Sequence, residues 1–342
     1  MSIRCRCAQA VILSPNQVPS QPETTSGVRV IPPNDDKLNY HGRWDIHSTA
    51  AAAYWCRAYV RLTFTGSTFQ LNLGSHPSVS SFQLCITMDG SEQHLTVMVG
   101  ESIVYPHLQP GTHTITIMNV HHSEPLIFTD IGVSADSIVS KPKDKPVEIQ
   151  FIGDMLTAMD TSYSTSICGS LDCEHTTIAR GSIALRNGWG GYKLPSGQQS
   201  HIGMEKAYFH LEGVSQSAPY TPASYAYEHP NAILVNIGTN DWLINRQNCT
   251  LFIESYQMFI RNLRTLYPCV PFYLILPFAD NALGLRLSAI TAAAKSSLFD
   301  KNIRFVDTRS WGVEIGIDRM HPTVAGFDTA SVRLCSLLRE GM

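Results

Sequence analysis

Residues 147–158, VEIQFIGDMLTA, decide the fold. VEIQFIG (147–153) is a compact apolar run closed by a glycine, and a helix is expected to open just beyond Asp154. A run of this length, bounded by a turn signal, reads as a strand buried on both faces, as in a parallel sheet. Similar runs recur at TTIAR (176–180), AILVNIG (232–238), PFYLILPF (271–278) and IRFVDT (303–308). Helical patterns separate them. Phe252, Ile253, Tyr256, Phe259, Ile260, Leu263 and Leu266 fall on one helical face, ALGLRLSAITAAAK (282–295) favours a helix, and a last helix is expected over about 324–338. Strands alternating with helices imply a three-layer α/β/α domain over residues 147–342.

Upstream the period changes. From about Leu38 to Ser134, AYVRLTFTG (58–66), TFQLNLG (68–74), SFQLCITMDG (81–90), HLTVMVG (94–100) and THTITIMNV (112–120) alternate apolar with polar residues. Asp89-Gly90 and Pro110-Gly111 supply turns between them. Strands at this spacing imply a β-sandwich or jelly roll, expected over residues 31–139. SKPKDKP (140–146), rich in proline and lysine, reads as the linker. Residues 1–30 are expected to be a flexible leader. Their one apolar run, Ala8 to Leu13, is shorter than most secretory h-regions of about 7–15 residues, so a cytoplasmic location is expected.

Composition narrows the partners. The 342 residues suffice for two domains, and 44% hydrophobic with 15% charged residues describes a globular chain. Lys+Arg 25 against Asp+Glu 28 gives a net charge of -3, with no basic field to attract nucleic acid or an anionic membrane. No stretch approaches the roughly 18 apolar residues of a membrane span. A small molecule is the expected partner, with the oligomeric state left open. The nine cysteines lack paired CxxC units, which argues against a disulfide framework or a zinc site. Cys85 and Cys335 sit in apolar runs and read as buried thiols. Cys168 and Cys173 are near enough to bridge, but a reducing compartment disfavours that.

In a parallel sheet, ligands sit beyond the carboxyl ends of the strands. Four polar clusters stand at such ends: Gly153-Asp154-Met155; Gly181 with Arg186-Asn187; Gly238-Thr239-Asn240-Asp241; and Asp318-Arg319-Met320-His321-Pro322. Singly, each has an ordinary reading as a turn, a helix cap or a chance Asp-x-x-His. Together, in this order, they form a pattern. FIGDMLTA (151–158) resembles the FIGDSITA block that opens SGNH (GDSL-like) hydrolases. RGSIALRN (180–187) resembles a segment of carbohydrate esterase family two, NIGTND (236–241) matches the GTND block, and DRMHPTVAGF (318–327) is similar to the DxxHP block. YHGRW (40–44), TMDG (87–90) and LQPGTHTITI (108–117) resemble that family's jelly-roll domain.

The resemblance implies roles. His321 would be the base and Asp318 its orienter. The Met155 N–H, Gly181 and the Asn240 side chain would form the oxyanion hole. Asp154, Arg186, Asn187, Asp241 and Trp242 would line the pocket, with Trp189 a further candidate. No cofactor or metal is expected, since the related esterases need none. His121, His122 and Glu124 read as a surface loop.

The departure lies at the nucleophile. Where the family keeps serine this chain has Met155, and a thioether has no proton for a base to remove. TAMDTSYS (157–164) also lacks the glycines that follow in the family. Three functions remain in view: non-hydrolytic acid/base chemistry on a small carbonyl-containing metabolite; an esterase using water or a displaced nucleophile, Asp160 or Ser162; and a carbohydrate-binding protein without catalysis.

Overall fold

The computed structural model describes residues 9–14, 17, 27–121, 124–159, 161–189, 191–193, 199–211, 221–225, 228–244, 249–278, 281–296 and 298–341. The chain divides into two compact units, Met1–Lys143 and Asp144–Met342, so the boundary falls inside the SKPKDKP stretch. Among the described residues no helix is long and apolar enough to cross a membrane.

The first unit is a pair of antiparallel sheets. One runs Val11–Leu13, Ser102–Tyr105, Phe69–Leu73, Leu126–Ser134, Ala51–Ala53, Trp44–Ile46, with Val28–Ile31 also on Leu126–Ser134. The other runs Val139–Ser140, Tyr59–Gly66, Gly111–Asn119, Ser81–Met88, Ser91–Met98, with Asn39–His41 on Tyr59–Gly66. The period-two alternation turns Phe69, Leu71 and Leu73 of one sheet and Phe82, Leu84 and Ile86 of the other into a single core cluster. This is the β-sandwich read from the sequence.

The expectation of a flexible leader over residues 1–30 needs correction. Val11–Leu13 pairs antiparallel with Ser102–Tyr105, and Val28–Ile31 pairs with Leu126–Ser134. The physical reason is edge completion: a short β-branched run gains backbone partners by adding to an open strand.

The second unit has a five-stranded parallel sheet. In chain order its strands are Glu148–Gly153, Glu174–Ala179, Ala232–Asn236, Phe272–Ile275 and Ile303–Val306; in space the order is second, first, third, fourth, fifth. Ile149, Phe151, Leu234 and Tyr273 face one side, packed on Tyr163 and Ile167 of helix Tyr163–Leu171 and on Phe327 and Leu334 of helix Val324–Gly341. On the other side helix Cys249–Leu266 buries Phe252, Tyr256, Phe259, Ile260 and Leu263, and its Arg264 guanidinium lies 4.0 Å from the Phe272 ring centroid. The sheet is therefore sandwiched between helical layers, and helix 249–266 buries five residues of the face that its spacing implied, while Ile253 and Leu266 stay half-buried at its margin. The winding direction reverses between the first and third strands. Asp154 and Gly238 leave the sheet at that switch point, the place where ligands sit in sheets of this kind.

Gly153 closes the first strand because nothing larger fits. A Cβ there would meet the Thr157 side chain and come within 2.6 Å of the Asn236 carbonyl. Gly153→Ala should therefore destabilise the fold by about 1–3 kcal/mol, the usual range for overpacking. A lowered urea midpoint at unchanged slope is the expected reading.

Candidate active site

The first three clusters are tied together by hydrogen bonds at the switch point. The Arg180 N–H donates to the Gly153 carbonyl at 3.4 Å, joining the ends of the first two strands. Asn240 Nδ2 donates to the Ile183 carbonyl at 2.9 Å, joining the second and third clusters. Only the amide nitrogen can donate to a carbonyl, so this contact fixes which way the Asn240 side chain faces. It uses one of two N–H groups and leaves the second for a ligand oxygen. Asp241 completes the link: its carboxylate accepts from the Leu185 N–H at 2.7 Å and the Arg186 N–H at 2.9 Å.

Met155 begins the short helix Met155–Ala158, with Asp154 as N-cap accepting from the Leu156 N–H at 3.0 Å. The backbone N–H of a first helical residue has no intrahelical acceptor and remains a donor. The Met155 side chain is half-buried, so a thioether stands at the position that the resemblance gives to the nucleophile. Gly181 is buried in the turn that follows the second strand.

The fourth cluster builds its own geometry. Asp318 Oδ1 accepts from the Met320 and His321 N–H groups, each at 3.0 Å, while Oδ2 accepts from His321 Nδ1 at 2.5 Å. Arg319 takes a left-handed conformation (φ 60°) to close this turn. These hydrogen bonds, the backbone ones first, hold the Asp318 carboxyl down at about 2. It is therefore a carboxylate throughout the working range, and Nδ1 beside it carries the proton. Nε2 is left as the basic nitrogen. The His321 side chain is 38% exposed.

Asp154 and Asp241 are buried carboxyls. Burial pushes Asp154 up to about 7; the Leu156 N–H opposes this, the Asp241 charge adds to it, and His321 draws it back. One Asp154 oxygen, Oδ2, is buried without a hydrogen-bond partner. Burial likewise raises Asp241 to about 6, against the two N–H groups that it accepts. An unfolded aspartate titrates near 3.9. From about pH 4 the unfolded chain therefore sheds a proton that the folded chain keeps, so stability falls between about pH 4 and 7 and then levels off. Asp154→Asn keeps the cap acceptor and removes the charge. It should match wild type near pH 4 and exceed it by up to about 4 kcal/mol at pH 8, read by urea unfolding at both pH values.

The other residues expected in the pocket hold the loops. Arg186 Nη1 donates to Ser255 Oγ at 2.8 Å, and its guanidinium lies 5.3 Å from the Trp189 ring centroid. The Asn187 N–H donates to Glu205 at 2.7 Å, while its Oδ1 accepts from the Gly203 N–H at 3.4 Å. Trp242 and Trp189 line a small cavity with Phe252, Leu287 and Ile290 beside Asp241. The loop of His121 and Glu124 joins two strands, as expected; His122 lies outside the described residues.

Ser162, the serine considered as a displaced nucleophile, is not exposed. Ser162 and Ser164 are fully buried, 2.7 Å from each other, and both donate to the Thr157 carbonyl at 3.2 Å. Thr157 is also buried, its hydroxyl 2.9 Å from that of Tyr163. Asp160 lies outside the described residues.

No protein-family profile matches the chain. Known structures do. A family two carbohydrate esterase from Cellvibrio japonicus superposes with a TM-score of 0.79 at 16% identity, over 92% of this chain and 98% of that one. The fold is that of the family two carbohydrate esterases. A second structure of this fold, the Clostridium thermocellum esterase in complex with cellohexaose, gives a TM-score of 0.72 at 20% identity, over 89% and 98% of the two chains. Among curated proteins, the cellulase/esterase CelE of Acetivibrio thermocellus is 22% identical over 256 residues, 69% of this chain and 31% of that protein. The chain thus spans about a third of that relative's length. On the family two fold, the parallel sheet and its switch point supply the frame on which the four clusters stand.

Proposed function

We propose that the chain is an enzyme of the family two esterase fold whose site works by proton transfer at His321, without a serine acyl-enzyme. One observation carries the reading: the Asp318–His321 pair is kept at 2.5 Å, in the tautomer that a base needs, while residue 155 is a methionine. A base held this way takes a proton from carbon or oxygen, and Asn240, with the Met155 N–H, stabilises the negative oxygen that develops. Isomerisation, cyclisation, elimination and water addition on a small carbonyl compound all use those two parts. The cellohexaose bound by a similarly folded esterase supports a carbohydrate-derived substrate.

A second reading is ester hydrolysis by water that His321 activates; the esterases that share the fold favour it. A purely binding role gains nothing from an oriented base. With 4-nitrophenyl acetate the wild-type chain should turn over poorly and show no inhibition by serine-directed phosphonates. Rapid turnover abolished by a phosphonate would overturn the proposal. Slow turnover that survives the phosphonate and disappears in His321→Ala would establish the second reading.

A further inference from the structure

Far from those clusters in sequence, the outer face of the six-stranded sheet gathers three side chains of metal-binding type. Strand pairing brings them there. Cys85 stands directly opposite His94 in the antiparallel pair Ser81–Met88 and Ser91–Met98, and Glu92 shares the face of His94 two residues away. Phe82, Leu84 and Ile86 point the other way, into the core. One ligand atom from each of Cys85, Glu92 and His94 lies within 4.8 Å of the other two. Cys85 is 1% exposed, while the His94 and Glu92 side chains are 52% and 59% exposed. A thiol thus forms the floor of the cluster, and an imidazole and a carboxylate form its open rim, with His94 Nε2 and Glu92 Oε1 2.8 Å apart.

We propose that Cys85, His94 and Glu92 bind one divalent cation of the zinc class. Bonds of about 2.3 Å to sulfur and about 2.0–2.2 Å to nitrogen and oxygen place tetrahedral ligands about 3.3–3.6 Å apart. The cluster reaches that spacing through side-chain movements on the order of 1 Å, which exposed rim residues make by rotation. A mixed thiolate, imidazole and carboxylate set suits zinc-class ions over magnesium or calcium, and the exposed side leaves the fourth position to water. On binding, the thiol gives its proton to solvent and the imidazole coordinates in its neutral form. Affinity therefore falls as the pH is lowered. Bound there, the ion joins the edge strand Ser91–Met98 to its neighbour. Such a site carries no CxxC spacing because its ligands come from two strands.

The test uses the full chain with Co2+ as the probe and Zn2+ as competitor. Wild type should bind one equivalent of Co2+ with a thiolate-to-cobalt charge-transfer absorption, and Zn2+ should displace it. Cys85→Ser should lose that absorption. His94→Ala and Glu92→Gln, at exposed positions that leave the circular dichroism unchanged, should each weaken binding by at least about 10-fold. If Cys85→Ser fails to fold, His94→Ala decides. Absorption and affinity unchanged in His94→Ala would place the ion on other cysteines and overturn the proposal. So would the absence of Co2+ binding by the wild type at pH 8.

Discussion

His321→Ala should lower turnover of the native substrate by roughly 10²–10⁴-fold, the usual contribution of a positioned acid or base. The loss should fall on kcat, because the ring acts on a moving proton more than on ground-state binding. Asp318→Asn should cost as much or less. That carboxylate holds Nδ1–H and stabilises the charged ring without taking the proton itself, and an asparagine in its place can present either an acceptor or a donor to Nδ1. Asn240→Ala should cost on the order of 10²-fold through the lost oxyanion donor. All three residues stand in turns or at a helix start, so the variants should keep the fold and much of their ligand affinity. Rates measured on folded variants alongside calorimetric affinities check this. Full activity in His321→Ala would remove the base from the mechanism.

The second large effect is a gain. Met155→Ser restores a hydroxyl at the first position of the helix that Asp154 caps, where the resemblance puts the nucleophile. If His321 Nε2 and the oxyanion donors share the geometry of the esterase fold, the variant should hydrolyse 4-nitrophenyl acetate well above the wild-type background, by roughly the 10²–10⁴-fold that a positioned base supplies. The added activity should vanish in the double variant Met155→Ser, His321→Ala. A folded Met155→Ser protein with no gain would mean that the stretch after residue 155 has drawn the helix start away from the base. That stretch lacks the glycines that the resemblance implies, and its Ser162 and Ser164 fold inward onto the Thr157 carbonyl.

Much of this architecture was legible because its signals are local. Most strands of the parallel sheet are single apolar runs, Glu174–Ala179 being the exception, and the first three clusters follow strand ends closely, whereas Asp318 comes well beyond Val306 and just before the last helix. Asp318 and His321 meet inside a single turn, so DxxH already contained their contact. What escaped the sequence depends on distant partners. Residues 11–13 read as part of a leader because their pairing with Ser102–Tyr105 lies about ninety residues away. Arg186 was expected in the pocket, yet its guanidinium reaches Ser255, 69 positions along the chain. Asp154 looked like a strand-end polar residue; its raised proton affinity follows from burial that only the packed sheet reveals. The GTND motif points to Asn240 and Asp241, whereas their partners at Ile183, Leu185 and Arg186 come from the neighbouring loop.

In the proposed function a working base and oxyanion donors surround a position with no nucleophile. Intact-protein mass measurement after exposure to a serine-directed phosphonate tests it most directly. No adduct is expected on the wild type, one on Met155→Ser, and none on Met155→Ser combined with His321→Ala. A stoichiometric adduct on the wild-type chain, mapped to any serine or threonine near the switch point, would contradict it.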